Sequence, residues 1–306
     1  MTEFRESVYI EPSIEKKSQE VDSNYREHMG VPVFSIVEFN LWGACNRKCN
    51  FCPVSDSSIW TNKHEGISEN DYEKVLEDLQ ELNYSGVILW STFSEPLLHK
   101  NVLKLAKITK SKLPNAKLHV VTNGDVIRKR HDFLKSLYDS GVDKLQVSLY
   151  DGKEQFLEFE EIGNKLNLDP SRFELRRRYS DGENFGLTIS NRAGSIDSNS
   201  FRSSTEKFIL HTDLPLKSPC TYFFYQVVID YNGDVILCAH DWKKELILGN
   251  AFDTNLWVIW TSKSANKVRL SLSQSNREFK PCIKCDVRGN LIGERHFENF
   301  KKIFTK

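Results

Sequence analysis

The segment Ala44–Cys52, with the sequence ACNRKCNFC, places cysteines at positions 45, 49 and 52. Three thiolates are one fewer than a structural zinc site or a fully ligated iron–sulfur cluster usually takes from a protein. Cysteines spaced in this way after a strand can each bind one corner of a cubane cluster, which leaves one iron without a protein ligand and open to another molecule. The alternative is a set of scattered or zinc-binding cysteines, because short motifs also occur by chance.

The composition argues against several functional classes. The chain has 306 residues with 42 basic and 42 acidic side chains, so it has no net charge with which to attract nucleic acid or an acidic membrane. No run approaches ~18 apolar residues, and the polar residues 1–30 lack the apolar segment of a secretory signal. We therefore expect a cytoplasmic protein whose seven cysteines are metal ligands or reactive thiols rather than disulfides.

Strand and helix patterns alternate through the first half of the chain. A helix follows Ser68, whose hydroxyl can cap it, and its apolar residues recur at helical spacing on one face. Alternating strands and helices of this length imply right-handed crossovers and a parallel sheet, whose chemistry lies at the carboxyl ends of the strands. Further predicted elements are strands at 31–39, 86–90, 118–124 and 145–152 and helices at 102–108 and 126–141.

The second half of the chain has a different pattern. Residues 222–238 form two strand-like runs around Asn232-Gly233, which is a strong hairpin signal. A helix is predicted over 254–273, and the polar stretch 191–205 indicates a domain boundary near residue 200. The four cysteines of this half lie before the hairpin, at its end and in a C-terminal C-x₂-C pair: Cys220, Cys238, Cys282 and Cys285.

The first cysteine motif resembles that of the radical S-adenosylmethionine (SAM) superfamily. The resemblance rests on the spacing C-x₃-C-x₂-C with Phe51 directly before the third cysteine. It implies a [4Fe–4S] cluster held by Cys45, Cys49 and Cys52, with SAM chelating the open iron. Electron transfer from such a cluster cleaves SAM and gives a 5′-deoxyadenosyl radical, which abstracts hydrogen from the substrate.

Other segments resemble the SAM-binding positions of that family. Phe93-Ser94-Glu95-Pro96 resembles a Gly-Gly-Glu-Pro stretch whose glutamate accepts hydrogen bonds from the SAM amino group, although both glycines are replaced here. Residues 186–194 resemble the sixth-strand region beside the adenine. The Asn-Gly at 123–124 also fits a simple turn, and Phe51 also fits a packing role. The SAM contacts implied by the resemblance are Phe51, Glu95, Thr122, Asn123, Ser148 and Arg192.

The four later cysteines resemble a second module. Four thiolates can close a structural zinc site or a [4Fe–4S] cluster, and spacing alone does not choose between these metals. Their layout resembles the shortened SPASM module called a twitch domain, which implies that Cys220, Cys238, Cys282 and Cys285 hold an auxiliary [4Fe–4S] cluster. The whole resemblance implies a polar extension (1–30), an α/β partial (β/α)₆ TIM-like barrel (31–200) and a twitch domain of a β-hairpin and a helix (201–306).

The seven-cysteine layout is most similar to carbohydrate-acting dehydrogenases of the 2-deoxy-scyllo-inosamine type. This similarity implies oxidation of an alcohol carbon of a sugar, an aminocyclitol or a similar small molecule, with the auxiliary cluster accepting an electron and a flavodoxin or ferredoxin as reductant. Two alternatives stay open: radical maturation of a ribosomally made peptide, and a non-catalytic metal-binding or electron-transfer protein. The oxidation also needs a group that accepts the substrate proton, which the sequence does not identify. Six residues are candidates by their position alone: Arg176, Arg177, Arg178, Tyr179, His240 and Asp241.

Overall fold

The fold was analysed in a computed structural model. It describes residues 14–181, 184–185, 190–196 and 214–304, and every statement of structure below refers to these residues. The expected domain boundary near residue 200 and the first part of the segment at 186–194 lie outside them, as do residues 1–13 of the N-terminal extension.

The strands and helices follow the alternation expected from the sequence. The strands are β1 (Arg26–His28), β2 (Val31–Val33), β3 (Ile36–Phe39), β4 (Val87–Trp90), β5 (Lys117–Thr122), β6 (Lys144–Leu149), β7 (Phe173–Arg177), β8 (Ser180–Asp181), β9 (Asn184–Phe185), β10 (Gln226–Ile229), β11 (Asp234–Ile236) and β12 (Ile247–Asn250). The helices are α1 (Ile14–Ser23), α2 (Glu69–Glu81), α3 (Val102–Lys112), α4 (Asp125–Lys129), α5 (His131–Asp139), α6 (Lys153–Lys165), α7 (Tyr222–Tyr225), α8 (Leu256–Thr261), α9 (Lys263–Ser273) and α10 (Glu294–Phe304).

One sheet organises the molecule, with the strand order β12-β11-β10-β3-β4-β5-β6-β7. The strands from β3 to β7 are parallel neighbours, which confirms the expected parallel α/β sheet and forms a partial barrel. β10 continues this parallel set on the other side of β3, with Gln226 opposite Ile36, and β11 then returns antiparallel. The hairpin strands and the barrel strands therefore belong to one continuous sheet.

The outer face of the sheet packs against the helices. Val37 and Phe39 of β3 belong to the large apolar core together with Tyr72 and Leu76 of α2, because alternate strand residues point to the same face. Helix α2 begins after Ser68, whose hydroxyl oxygen accepts a hydrogen bond from the backbone N–H of Asp71, as expected. None of the described helices is long and apolar enough to cross a membrane.

Several elements differ from the sequence prediction. The helix expected at 126–141 is divided at Arg130, whose backbone (φ −146°, ψ 81°) is not helical. The helix expected at 254–273 is divided at Ser262, whose hydroxyl caps the second part by accepting from the Ala265 N–H. The outgoing hairpin run begins as the short helix α7, so only Gln226–Ile229 is strand. The two helix breaks fall within polar runs, residues 128–132 and 261–267, where one amphipathic helix and two shorter helices have the same pattern.

The inner face of the sheet carries buried polar and charged side chains as well as apolar ones, unlike the outer face. Buried Glu38 accepts hydrogen bonds from Gln226 and Thr92, and Lys144 and Arg176 pair with Glu174 at 2.6 and 3.3 Å. Along each strand, the residues that point to this inner face alternate with the residues that point to the outer core.

Helix α1 packs at the amino-terminal ends of the strands. Its fully buried Val21 packs with Ile36 and Val87, the residues that begin β3 and β4. Lys17 of the same helix donates to the Gln226 side chain at 3.3 Å. The extension expected at 1–30 thus contributes a helix that covers this end of the barrel.

Candidate active site

The first cysteine loop leaves β3 and lies at the carboxyl end of the sheet. The backbone N–H of Cys45 donates to the Asn62 side chain at 2.7 Å, and the Cys52 N–H donates to the Cys49 carbonyl at 3.0 Å. Burial raises the pKa of the Cys45 thiol to about 12 and that of Cys49 to about 11. The nearby thiols raise both pKa values further, which places the three cysteines close together. The loop therefore brings together three thiols that are protonated when no metal is bound.

Arg47, between the first two cysteines, anchors this loop to two strand ends. Its guanidinium donates to Asp125 at 2.8 Å and to Asp151 at 2.7 Å, and it lies over the Tyr150 ring at 5.4 Å from the centroid. Asp125 follows β5 and Asp151 follows β6. Hydrogen bonds from Arg47 lower the pKa of Asp151 below its usual range. The pairing fixes the cysteine loop relative to the strands that carry the other polar strand ends.

Glu95 is the most constrained of the expected SAM contacts. Its side chain is 2% exposed, and one carboxylate oxygen accepts from the Leu97 N–H at 3.0 Å and the Thr122 hydroxyl at 2.7 Å. The other oxygen accepts from the Asn123 N–H at 2.8 Å and keeps a second acceptor position. Burial raises the pKa of Glu95 to about 7, although these hydrogen bonds act in the opposite direction. A cation beside this carboxylate would stabilise its charged form.

The replacement of both glycines before Glu95 is accommodated by specific contacts. The Ser94 hydroxyl donates to the Asn40 side chain at 2.8 Å and also contacts the Trp42 carbonyl. The Glu95 N–H donates to the Ala44 carbonyl at 3.3 Å, next to the first cysteine. This segment is thus connected directly to the cysteine loop, and the Glu95 carboxylate stays at the carboxyl end of the sheet.

The other expected SAM contacts lie around the same loop. The Asn123 amide donates to the Asn46 side chain at 2.9 Å and lies 3.8 Å from the Cys45 sulfur. The next residue, Gly124, has φ +79°, and a Cβ there would meet the Phe159 ring at 2.5 Å, so both the turn and the packing require glycine. The Phe51 ring packs against Tyr150 at 5.7 Å.

Ser148 and Arg192 complete the expected set. Ser148 is buried in β6 and hydrogen-bonds with Tyr150. One nitrogen of the Arg192 guanidinium lies 3.5 Å from His240 Nδ1, and its charge lowers the pKa of Cys52 against the larger effect of burial, so Arg192 lies between the first cysteine loop and the hairpin.

The four later cysteines line one cavity, together with His240 and Arg277. Burial is the main cause that raises the pKa of all four thiols, and the other thiols of the set raise the pKa of Cys238 further. A tetrahedral zinc site would hold four sulfurs at about 2.3 Å from one ion. Among the described residues, no three His, Cys, Asp or Glu side chains are arranged to hold a single metal ion. Four thiols that line one cavity can supply the four ligands of either a zinc ion or an iron–sulfur cluster.

Sequence reasoning missed the residue that supports this second site. Arg277 is 2% exposed, donates to the carbonyls of Ser218 and Pro219 at 2.9 and 2.7 Å, and lines the cavity. Its charge acts to lower the pKa of Cys220, against the larger effect of burial. Arg47 was missed in the same way. Neither position carries a local signal, because only the fold brings the guanidinium groups beside the thiols.

The proton-acceptor candidates are spread over different environments. Arg176 pairs with Glu174, and Arg177 lies over the Tyr179 ring at 5.9 Å. Asp241 accepts from the backbone N–H groups of Glu245 and Leu246, which gives it a structural role in the turn after β11. His240 lines the second cavity.

Comparison with known families agrees with both cysteine sites. The family model described as the radical SAM superfamily matches residues 39–169. These residues are a radical SAM domain. The SPASM model, described as an iron–sulfur cluster-binding domain, matches residues 220–286 and so spans the four later cysteines. SAM and a [4Fe–4S] cluster are accordingly the cofactors of the first domain, and an auxiliary iron–sulfur cluster is that of the second.

Individual relatives align over most of the chain. The S-adenosyl-L-methionine-dependent 2-deoxy-scyllo-inosamine dehydrogenase of Niallia circulans is 25% identical over 248 residues, which are 80% of this chain and 89% of that protein. The crystal structure of BtrN with AdoMet and 2-DOIA aligns with a TM-score of 0.67 at 23% identity, over 84% of this chain and 94% of that chain. BtrN in an open conformation aligns with a TM-score of 0.60 at 20% identity, over 83% and 93% of the two chains. These structures share the fold.

We predict that Arg47→Gln weakens retention of the first cluster. The substitution removes the cation that Asp125 and Asp151 both bind, and charged hydrogen bonds of this kind contribute about 1.5–3 kcal/mol when buried and less at the half-exposed Asp151. Iron per chain after anaerobic reconstitution and gel filtration should fall, whereas Lys48→Gln, an exposed change in the same loop, should not lower it. Equal iron retention in the two variants would contradict the anchoring role.

We also predict a pH-dependent stability that originates at Glu95. In the protein without metal or SAM, the folded state holds a proton on Glu95 up to about pH 7, whereas the unfolded carboxyl ionises near its ordinary pKa of 4.5. Stability should therefore fall as the pH rises through this interval. Urea unfolding at about pH 5 and about pH 7.5 should show a larger fall for the wild type than for Glu95→Gln. Parallel pH dependences would contradict the raised pKa.

Proposed function

We propose that this radical SAM enzyme is a dehydrogenase that oxidises an alcohol carbon of a polyhydroxylated small molecule, an aminocyclitol or a sugar. The observation that carries this proposal is the cavity enclosed by four cysteine thiols, which matches a fully ligated cluster that takes no ligand from the substrate. A cluster with SAM at Cys45, Cys49 and Cys52 would supply hydrogen-atom abstraction, and a cluster held by the four later cysteines would supply an acceptor for one electron. With the loss of one proton, these changes together oxidise an alcohol to a ketone.

The chain's own residues have distinct roles in this proposal. Cys45, Cys49 and Cys52 hold the first cluster, and Cys220, Cys238, Cys282 and Cys285 hold the second. Glu95 accepts from the SAM ammonium group through its remaining acceptor position, while the Thr122 hydroxyl and the Asn123 N–H fix the carboxylate. Arg192, whose charge acts to lower the pKa of Cys52, binds the SAM carboxylate in this proposal. Ser148 and Phe51 lie on neighbouring elements of the same strand ends, where they bound the SAM site.

The polar side chains on the inner face of the barrel support a hydroxylated substrate. Glu38, Gln146 and Ser148 are buried polar side chains on the strands of this face, and Glu174 and Arg176 form an ion pair there. Hydroxyl and amino groups need such partners when they leave water, because a buried polar group without a hydrogen bond is costly. The relative from Niallia circulans is named for an aminocyclitol, 2-deoxy-scyllo-inosamine. We take that compound as the first substrate to test.

The proposed reaction also implies a cellular compartment and an electron donor. All seven cysteines are free thiols, as a reducing compartment requires, and we place the enzyme in the cytoplasm. A flavodoxin or ferredoxin would supply electrons to the first site.

Of the earlier alternatives, a non-catalytic metal-binding protein conflicts with the radical SAM match. A peptide substrate fits less well, since the relative that covers most of the chain is named for a small aminocyclitol.

We predict direct hydrogen transfer from substrate to SAM. With 2-deoxy-scyllo-inosamine deuterated at the carbon to be oxidised, anaerobic turnover should give deuterated 5′-deoxyadenosine and ketone in a ratio of about one to one, because SAM is consumed as an oxidant. Cys282→Ala/Cys285→Ala should make no ketone, even if it still cleaves SAM. Circular dichroism must first show that this variant is folded, since a lost cluster also removes a folding constraint. Ketone formation at the wild-type rate in a folded variant without the second cluster would contradict the proposal.

A further inference from the structure

Three aromatic rings from separate segments pack together beside the first cysteine loop. Trp60 follows the loop, Phe93 precedes Glu95, and Trp242 follows Cys238 at the end of the hairpin. Their ring centroids are 5.6 Å apart for Trp60 and Phe93, 5.5 Å for Trp60 and Trp242, and 4.9 Å for Phe93 and Trp242. We call these three residues the aromatic trio. The trio connects the cysteine loop, the glutamate segment and the hairpin.

The trio borders the first cluster site. It belongs to a buried apolar group that also contains Val54, Val228 and Ile236, and Cys45 and Cys52 pack against this group. Phe93 stands where the related motif has glycine, so its ring fills space that a glycine would leave open. The side of the cysteine loop that faces the hairpin is therefore covered by aromatic and aliphatic side chains rather than by water.

The two indole N–H groups of the trio differ in whether they have a hydrogen-bond acceptor among the described residues. The Trp60 Nε1–H donates to the Gly43 carbonyl at 3.0 Å. The Trp242 Nε1–H is buried and has no acceptor in the described part of the chain, while the whole residue is only 7% exposed. A buried donor without an acceptor is costly, and most such donors in proteins have a partner. Trp242 thus has an unused donor in an apolar group that contacts two of the cluster cysteines.

The sulfur atoms of the first site are the acceptors that suit this donor. The described side chains in the apolar group are hydrocarbon or indole, apart from Cys45 and Cys52. Thiolate and sulfide sulfurs of an iron–sulfur cluster accept N–H hydrogen bonds, which stabilise the more negative, reduced cluster and raise its potential. We propose that Trp242, from the hairpin segment, donates its indole N–H to a sulfur of the cluster held by Cys45, Cys49 and Cys52. The module that holds the second cluster would then set the potential of the first.

Pulsed electron paramagnetic resonance tests the hydrogen bond directly. Protein grown with indole-¹⁵N tryptophan, loaded with both clusters and reduced without SAM or substrate, should show a ¹⁵N coupling to the first cluster. The coupling should disappear in Trp242→Phe and persist in Trp60→Phe, which removes the indole that already donates to Gly43. A wild-type protein without the coupling, or a Trp242→Phe protein that keeps it, would overturn the proposal.

The midpoint potential provides an independent readout. In a redox titration of the same samples, Trp242→Phe should lower the potential of the first cluster, and Trp60→Phe should leave it unchanged. If Trp242→Phe loses iron, benzothienylalanine incorporated at position 242 keeps the bicyclic shape, lacks the N–H and should give the same two changes. Equal potentials in the wild type and in the iron-loaded variant at position 242 would also overturn the proposal.

Discussion

The parallel pairing of β10 with β3 is the constraint on which the rest of the structure depends. β3 leads into the first cysteine loop, and β10 begins the hairpin whose return strand precedes Cys238. Because β11 returns antiparallel from the turn after β10, Cys238 lies back towards the amino end of β10, whereas the first cysteine loop leaves the carboxyl end of β3. The backbone hydrogen bonds of adjacent strands thus place two sites that are far apart in sequence beside the same part of one sheet. The aromatic trio and the contact between Arg192 and His240 both lie across this junction.

The burial of ionisable side chains at both cysteine sites is the second feature on which the structure depends. The seven thiols are held in environments that raise their pKa, which favours the protonated form until a metal replaces the proton. Each site has one arginine held by several hydrogen bonds, Arg47 at the first and Arg277 at the second. These guanidinium groups are fixed by carboxylates or carbonyls rather than by the thiols themselves. They stabilise the loops that carry the cysteines and leave the sulfur atoms available for iron.

Most of the fold could be predicted from the sequence because its signals are local. Apolar runs between glycines predicted the strands, Ser68 predicted the start of α2, and the cysteine spacing predicted the family. What could not be predicted depends on contacts between distant segments. The helix breaks at Arg130 and Ser262 lie within polar runs that one continuous helix could also contain, and the pairing of β10 with β3 leaves no local trace. Arg47 reads as an ordinary charged residue until the fold places it between Asp125 and Asp151.

The same distinction applies to the site. The cysteines and Glu95 could be named from their motif, whereas the second acceptor position on Glu95 and the unused N–H of Trp242 are visible only in three dimensions.

The central claim is that the seven cysteines form two separate cluster sites, and the most direct measurement is the metal content of anaerobically reconstituted protein. The account predicts about eight irons per chain in the wild type and about four in Cys45→Ala/Cys49→Ala/Cys52→Ala, with no zinc in either. About four irons in the wild type, or zinc at the four later cysteines, would contradict it.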